Sequence, residues 1–344
     1  MRAIDFFCGG GGMTYGLRQS GINVVAGVDA EPSCRETFEA NNPGATFILS
    51  DIKRLRSNFF ERNFGIRKND DELILVGCSP CQYYSIINTE RTRSVQTKNL
   101  LLSFCRFVDY YRPGFVLVEN VPGIEYTDDS VLPKFLKKLK TIGYQVKKKI
   151  VDLSYYGVPQ SRKRFSLIAT RLDVTLSLPA PDERQAVVEE FIGVANGYPT
   201  IPAGHHDDTT FMHTCAGLNE KSLQRLRLTP HNGGSRLAWA HNPELQLKCY
   251  EGKDNSFRDN YGRMWWNRPA PTITTKFFSV SSGRFSHPDE DRPISIREGA
   301  TLQTFPTDYV FYATSIFAAA KMIGNAVPCE YARRLGVHVQ LLME

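Results

Sequence analysis

The chain has 344 residues, of which 42% are hydrophobic, and a formal net charge of +6. This length predicts one large domain and a smaller one, and no apolar run reaches the ~20 residues needed to span a bilayer. The N-terminus leads straight into a strand-like run rather than a signal peptide. The eight irregularly spaced cysteines indicate reduced thiols. We therefore expect a cytoplasmic protein with no membrane contact. The charge is compatible with a nucleic-acid partner but too small to establish one.

The first predicted elements form a strand, a glycine turn and a helix. The strand covers residues 3–7, four glycines follow at 9–12, and the helix covers residues 13–20. This layout is typical of a nucleotide-cofactor site, because backbone N–H groups at the helix start face the ligand. The dinucleotide pattern G-x-G-x-x-G fits no register, since Thr14 and Tyr15 stand where its third glycine would lie. The glycines therefore indicate either a closely approaching ligand other than NAD or a flexible turn.

Acidic residues follow the next two predicted strands. The strand over residues 22–28 ends at Asp29, which is placed to accept hydrogen bonds from ribose hydroxyls. A helix is predicted over residues 32–41, and the strand over residues 46–49 leads to Asp51, which is placed to meet an adenine amino group. Either aspartate alone would more often be a surface or capping residue. Two at strand ends on one side of a parallel sheet favour a binding site.

Cys81 lies just beyond a short apolar run, residues 73–76, that predicts a buried strand. Ligands of open parallel sheets bind beyond the carboxyl ends of the strands, so Cys81 is a candidate nucleophile. Two alternatives stay open: a small buried hydrophobic side chain, and a C-x-x-C pair with Cys78 for redox or zinc chemistry. The chain has no second C-x-x-C for a four-ligand zinc site, and the residues after Cys81 form a polar loop rather than the helix of a redox pair.

The alternation of strands and helices continues to about residue 170. The predicted elements are a helix at 99–111, a strand at 114–118, a helix at 131–140, a strand at 144–153 and a last strand at 165–170. Glu119 follows the strand next to the one that leads to Cys81. The long polar loop over residues 82–96 carries Arg91 and Arg93, and loops of this length are commonly functional or disordered. Seven lysines between residues 134 and 149 suggest a DNA-binding patch, but such runs more often form a solvated face.

Five short motifs then occur in order along the chain. They are D-F-F-C-G at 5–9, P-C-Q at 80–82, E-N-V at 119–121, Q-S-R-K-R at 160–164 and G-N-A-V-P at 324–328. In that order and spacing they resemble the signatures of the DNA (cytosine-5)-methyltransferases, and residues 292–306 look like the late conserved block of that family. The resemblance covers nearly the whole chain outside residues 177–260 and favours the nucleophile interpretation of Cys81. Met13, Thr301 and the Tyr83-Tyr84 pair depart from the family pattern.

The resemblance implies a division of catalytic work. Cys81 would add to carbon 6 of cytosine, which makes carbon 5 nucleophilic toward a methyl donor. Glu119 would meet N3 and the exocyclic amine, while Arg164, with Arg162, would meet O2 and the neighbouring phosphate. None of this can happen inside a duplex, so the base must be flipped out.

The resemblance also implies ligands and their residues. The methyl donor is S-adenosylmethionine, and its expected pocket consists of Phe7, Gly9, Gly11, Gly12, Asp29, Ala30, Asp51, Ile52, Pro80, Asn325 and Ala326. DNA contacts are expected from Gln82, Ser85, Arg91 and Arg93 in the polar loop. Arg236, Arg263 and Arg284 are further candidates, because each lies in a polar, glycine-flanked stretch in the middle of the chain, although a phosphate contact or a structural ion pair is the commoner role of any single arginine. The histidines lack ligand spacing, so no metal is expected.

The predicted fold is α/β, with a Rossmann-like, mostly parallel sheet of the S-adenosylmethionine-dependent methyltransferase type. Residues 1–178 form the catalytic and cofactor-binding domain, completed by residues 318–344. Residues 179–317, where strand–helix alternation stops, form a small, irregular target-recognition domain and hinge. We expect a monomeric bacterial modification enzyme that methylates a short double-stranded DNA sequence, associates with the nucleoid when bound, and has a restriction endonuclease as a candidate partner.

Three other functions compete with this one. The same chemistry on transfer RNA is performed by a related subfamily, but the large middle domain and the loop after Cys81 favour DNA. A catalytically dead DNA-binding subunit is disfavoured by the presence of Cys81, Glu119 and Arg164. A thiol redox protein using Cys78 and Cys81 is disfavoured by the other motifs.

Overall fold

A computed structural model describes residues 1–80, 84 and 97–344, and these separate into two compact units. The first unit comprises Met1–Asp152, Lys163–Pro181 and Val327–Glu344, and the second comprises Leu153–Arg162 and Asp182–Ala326. Residues Leu153–Arg162, which the sequence assigns to the catalytic domain, lie in the second unit because their short strand pairs with one formed by residues 270–271.

A seven-stranded sheet with the order β3-β2-β1-β4-β5-β8-β6 forms the first unit. Its strands are β1 (Arg2–Phe6), β2 (Asn23–Asp29), β3 (Thr46–Leu49), β4 (Leu73–Gly77), β5 (Phe115–Asn120), β6 (Gln145–Asp152) and β8 (Lys163–Thr170). Strands β3, β2, β1, β4 and β5 are parallel, and β8 runs antiparallel to both β5 and β6. The expected mostly parallel sheet is therefore confirmed. The strand order reverses between β1 and β4, which is where such sheets open a ligand crevice.

Helices cover both faces of this sheet. They are α1 (Gly12–Gln19), α2 (Arg35–Asn41), α3 (Phe59–Phe64), α4 (Leu100–Tyr111), α5 (Gly123–Tyr126), α6 (Leu132–Thr141) and the C-terminal α10 (Cys329–Leu341). On one face Phe6 packs against Phe104 and Phe107, with ring centroids 5.3 and 4.8 Å apart. On the other, α10 packs so closely on α1 that a Cβ at Gly16 would lie 2.2 Å from the Cys329 carbonyl oxygen.

The burial of each strand follows its place in the sheet. Every residue of β4 and β5 is buried, as expected for central parallel strands covered on both faces. Strand β6 lies at the edge and exposes Lys147, Lys148 and Lys149. Lysines on an edge strand hinder pairing with another chain, so this part of the lysine run is a solvated face.

The second unit is irregular, as the sequence predicts. It contains β7 (Gln160–Ser161) paired with β9 (Ala270–Pro271), and the helices α7 (Glu220–Leu228), α8 (Ile296–Leu302) and α9 (Ile316–Asn325). Gln160 joins three segments, because its amide donates to the Leu302 carbonyl at 2.8 Å and accepts from the Ile273 N–H at 3.0 Å. Among the described residues of both units, no helix has the length and hydropathy needed to cross a membrane.

Candidate active site

The carboxyl ends of the parallel strands carry an ion pair formed by two of the predicted catalytic residues. Glu119 lies near the end of β5 and Arg164 near the start of the neighbouring β8. The Arg164 Nε lies 3.0 Å from the Glu119 Oε1, and their side chains are only 12% and 8% exposed. The antiparallel pairing of β5 and β8 explains the contact, since it brings the end of one strand beside the start of the other. A carboxylate and a guanidinium are thus held together at the edge where the ligand crevice is expected.

The next residue, Asn120, ties this strand end to the segment that leads to Cys81. Its Nδ2 donates to the Ser79 carbonyl oxygen at 3.0 Å, and its Oδ1 accepts from the Val121 N–H at 2.9 Å. Both Asn120 and Ser79 are buried. No role for Asn120 was predicted from the sequence, although an asparagine directly after Glu119 at the end of a predicted strand was a usable signal. Cys81 itself lies outside the described residues.

Tyr84 anchors the same segment in the core of the first unit. Its ring is 4% exposed, and its hydroxyl donates to the Lys98 carbonyl and accepts from the Val131 N–H, both at 3.3 Å. Gly123 is required beside it, because a Cβ there would lie 2.1 Å from the Tyr84 carbonyl oxygen. The sequence identified Tyr84 only as a departure from the family pattern. The other loop residues predicted to contact DNA lie outside the described residues: Gln82, Ser85, Arg91 and Arg93.

The turn after β1 is bound to the end of β2 through Asp29. The Gly9 N–H donates to the Asp29 Oδ2 at 2.8 Å, and the Glu31 N–H donates to Oδ1 at 2.9 Å. Phe7, Gly9 and Gly11 have φ values of +67°, +52° and +95°, so the backbone there takes a shape that favours glycine. Burial raises the pKa of Asp29, and the two N–H donors act against that rise. Phe7, Gly9 and Gly11, which are all predicted pocket residues, therefore lie in one turn that is hydrogen-bonded to Asp29. Gly12 starts α1 directly after this turn.

Asp5 is a buried carboxyl beneath this turn. It is fully buried, and the Thr14 hydroxyl of α1 donates to its Oδ2 at 2.7 Å. Burial raises the pKa of Asp5 to about 7. The D-F-F-C-G motif contains Asp5, but motif reasoning assigned it no separate role.

The remaining expected pocket residues are spread along the same edge of the sheet or lie in the second unit. Asp51 is half-buried after β3, and its Oδ1 accepts from the Lys53 N–H at 2.9 Å. Ile52 is buried, whereas Ala30 and Pro80 are exposed at the ends of β2 and β4. Asn325, exposed, and Ala326, half-buried, end α9 in the second unit. Among the described residues no cluster of three or more histidine, cysteine or acidic side chains could hold a metal ion.

Arg162 has a different environment from Arg164. Its side chain is buried in the second unit, where it donates to the carbonyls of Ile273 and Ala326, both at 3.0 Å. These bonds join β7, the segment after β9 and the end of α9. This placement favours a structural role for Arg162 over the contact with the base or phosphate that the resemblance implies.

The three arginines expected to read DNA from the second unit are buried as well. Arg236 is 0% exposed and donates to the carbonyls of Phe257 and Ser256 at 3.1 and 2.8 Å. Arg263, also 0% exposed, donates to the Leu226 carbonyl at 2.8 Å.

Arg284 is 7% exposed, and it pairs with Asp259 at 2.9 Å and donates to the Gly233 carbonyl at 2.9 Å. All three guanidinium groups, those of Arg236, Arg263 and Arg284, are therefore engaged inside the protein. This environment favours a structural role over the DNA contacts expected of these three arginines.

Comparison with known proteins matches nearly the whole chain to one family. The model of the family described as C-5 cytosine-specific DNA methylase matches residues 1–340. The Type II methylase M.HgiDII of Herpetosiphon aurantiacus is 35% identical over 350 residues, covering 99% of this chain and 95% of that protein. The DNA (cytosine-5)-methyltransferase 1 of Mus musculus is 25% identical and covers all of this chain with 28% of its own length.

Solved structures share the fold. A prophage-encoded protein of E. coli superposes with a TM-score of 0.73 at 21% identity, covering 100% of this chain and 99% of its own. The Dnmt2 methyltransferase of S. pombe superposes with a TM-score of 0.62 at 16% identity, covering 100% and 98%. Because the family model matches residues 1–340 and the M.HgiDII relative is aligned over nearly its whole length, this protein belongs to the C-5 cytosine-specific DNA methylases and is a DNA (cytosine-5)-methyltransferase.

Proposed function

We propose that this protein transfers the methyl group of S-adenosylmethionine to carbon 5 of a cytosine flipped out of a short double-stranded DNA site, through covalent addition of Cys81 to carbon 6. The observation that carries the proposal is the Glu119–Arg164 pair beside the Ser79 segment that leads to Cys81. The Type II names of the bacterial relatives support a role in a restriction–modification system, in which this chain acts as a monomer beside a cognate endonuclease.

The residues at the carboxyl ends of β1 to β3 fit the methyl donor. Space beside Gly9 is open, since a Cβ built there would meet nothing within 4 Å. Phe7 and the glycine turn would face the methionine end, Asp29 the ribose, and Asp51 with Ile52 the adenine. When bound, S-adenosylmethionine supplies an electrophilic methyl group on a positively charged sulfur.

Cys81 and Glu119 divide the chemistry on the base. The Cys81 thiolate forms a bond to carbon 6, and the electron pair of the 5,6 double bond moves onto carbon 5 with charge spreading to N3 and O2. Carbon 5 forms its bond to the methyl group as the carbon–sulfur bond of the donor breaks. Loss of the carbon 5 proton to water then restores the double bond and expels the Cys81 thiolate.

The ion pair sets a condition on this chemistry. Arg164 favours the ionised form of Glu119, whereas donation of a proton to N3 requires the protonated form. A flipped cytosine offers O2 as a new acceptor for Arg164. We therefore infer that entry of the base draws Arg164 away from Glu119 and so allows Glu119 to hold a proton at N3.

The decisive test uses duplex DNA with 5-fluorocytosine at the target position. After methyl transfer, carbon 5 carries fluorine and methyl but no proton, so the cysteine cannot be expelled. The wild-type protein is expected to form an adduct that survives denaturation, requires S-adenosylmethionine and maps to Cys81. Transfer RNA containing 5-fluorocytosine serves as the comparison. An adduct on transfer RNA alone, or on no substrate, contradicts the proposal.

Changing Glu119 to glutamine is expected to slow methyl transfer by roughly 10²- to 10⁴-fold, because glutamine keeps the shape but cannot transfer a proton to N3. Single-turnover methylation of duplex DNA measures the effect. Glu125→Gln is the matched control, since Glu125 lies on α5 of the same unit and pairs with Lys148. Equal rates for Glu119→Gln and the control would remove Glu119 from the mechanism.

Changing Asp29 to alanine is expected to weaken binding of S-adenosylmethionine by about 1–3 kcal/mol, because the N–H groups of Gly9 and Glu31 lose their acceptor and the turn loses its shape. Calorimetry on the DNA-free protein measures this directly. Glu36→Ala, an exposed carboxylate on α2, is the control. An unchanged affinity for Asp29→Ala would mean that the donor binds elsewhere.

A further inference from the structure

A pocket of about 290 Å³ lies next to β3, at the outer end of the sheet edge that carries the candidate active site. Its walls include Arg54, Arg56, Arg62, Asn58 and Asn63. We infer that this pocket binds phosphate groups, and that those of the DNA backbone flanking the target are its ligand.

The positive charge of the pocket is not neutralised by ion pairs among the residues that the structure describes. None of the three arginine side chains is paired with a carboxylate in the described part of the chain, and no acidic residue lines the pocket. A second pocket, of about 540 Å³, differs because acidic residues also line it. It lies at the opposite end of β1 and β4, where Arg2 pairs with Asp70 at 3.1 Å and Asp71 and Glu72 also line the wall. Of these two pockets, the one next to β3 is lined by arginines with which no carboxylate of the described residues forms an ion pair.

The backbone that carries the arginines is fixed, which sets this cluster apart from a solvated charge run. The Arg106 side chain of α4 donates to the carbonyls of Ile52 and Leu55, which lie on either side of Arg54 in the chain. The Asp51 carbonyl accepts from the Arg54 N–H at 2.9 Å, and the Asn63 side chain donates to the Phe59 carbonyl at 2.8 Å. Because the backbone that carries the arginines is already ordered, binding of a ligand costs little backbone entropy. The guanidinium groups can then hold a phosphate with paired, charge-assisted hydrogen bonds.

The proposed function places the target cytosine at the end of β4. On that basis, the pocket next to β3 lies where it can meet a phosphate of the DNA that flanks the target. Strands β3, β2, β1 and β4 are neighbours and parallel, so the pocket and the Ser79 segment lie on one edge, three strand spacings apart. At about 4.8 Å a spacing, that distance is roughly 14 Å. DNA rises about 3.4 Å per phosphate along each strand, so the pocket would meet phosphates about four steps from the target.

The test combines three substitutions, Arg54→Gln, Arg56→Gln and Arg62→Gln, in the full-length protein. A control with the same loss of charge combines Lys134→Gln, Lys137→Gln and Lys140→Gln, which are exposed on α6. Dissociation constants are measured over a series of salt concentrations with a 30-base-pair duplex, and with a duplex trimmed to about two pairs on each side of the target. Binding of inorganic pyrophosphate is measured by calorimetry on the DNA-free proteins.

The arginine variant is expected to reduce the salt slope on the long duplex by up to about one for each lost phosphate contact, and to leave the short duplex and the affinity for S-adenosylmethionine unchanged. A saturable pyrophosphate site that disappears in the variant, with an unchanged slope on DNA, would keep the phosphate chemistry but assign it to a free phosphate compound. The inference is overturned if the arginine variant matches wild type in both assays, or if the lysine control changes the slope equally. Failure of the proposed methylation mechanism is recognised separately, because the wild-type protein would then form no adduct with 5-fluorocytosine DNA, whatever the behaviour of the arginine variant.

Discussion

Replacing Cys81 by alanine is expected to abolish methylation of duplex DNA, a loss on the order of 10⁴-fold or more, because no other group can supply the covalent bond to carbon 6. Binding of S-adenosylmethionine should persist, since the residues expected to hold it are carried by the turn after β1 and the ends of β2 and β3. Single-turnover methylation and calorimetry separate the two effects. The variant should also form no adduct with 5-fluorocytosine DNA.

Cys78→Ala is the matched control for this experiment. Burial raises the pKa of the Cys78 thiol well above its ordinary value, and the nearby Glu119 adds to the rise. A thiol that stays protonated at neutral pH is a poor nucleophile and a poor redox partner. We therefore expect Cys78→Ala to retain the adduct. An adduct that persists in Cys81→Ala but disappears in Cys78→Ala would exchange the two roles.

The largest expected effect on stability comes from Glu298→Ala, which should destabilise the second unit by about 3–5 kcal/mol. Glu298 is fully buried at the start of α8, and its two carboxylate oxygens accept from Arg292 at 2.7 and 2.9 Å. Its removal leaves the buried Arg292 guanidinium with fewer acceptors and breaks the capping box with Ser295. All three tryptophans lie in the second unit, so denaturation followed by tryptophan fluorescence reports on it. Glu220→Ala, an exposed glutamate on α7, should have little effect.

The same residue predicts how stability depends on pH. Burial alone would raise the pKa of Glu298, but the bonds from Arg292 lower it to about 2. Since the unfolded value is about 4.3, Glu298 stabilises the fold above that pH, and the contribution is lost as pH falls from there toward 2. Burial also lowers the pKa of His287, so proton uptake by the unfolded chain begins to reduce stability below about pH 6.5.

Denaturation midpoints of the tryptophan signal between pH 7 and 2 test this prediction. Wild type should lose stability gradually below about pH 6.5 and more steeply below about 4.3. Glu298→Ala should lack the steeper part. A variant with the same pH profile as wild type would show that another group controls the acid transition.

Local signals in the sequence predicted the elements of the first unit well. Short runs of four or five residues predicted β3, β4 and β5, and the alternation of strands and helices predicted a mostly parallel sheet, because hydrophobic periodicity and turn residues act over a few neighbours. The E-N-V and Q-S-R-K-R motifs also pointed to Glu119 and Arg164, which the structure joins in one ion pair. Short-range pattern and motif therefore determined the sheet and two residues of the candidate active site.

Only the tertiary structure decided where the arginines lie. The sequence predicts DNA contacts for Arg162, Arg236, Arg263 and Arg284, since arginines commonly bind phosphates and base edges. Each is buried because carbonyl oxygens distant in the chain meet its guanidinium group, as Leu226 and Glu290 do for Arg263. Burial of a charge depends on partners that no local pattern specifies. The sequence by itself determined the family, the sheet and the candidate chemistry, whereas the burial of these four arginines required the folded chain.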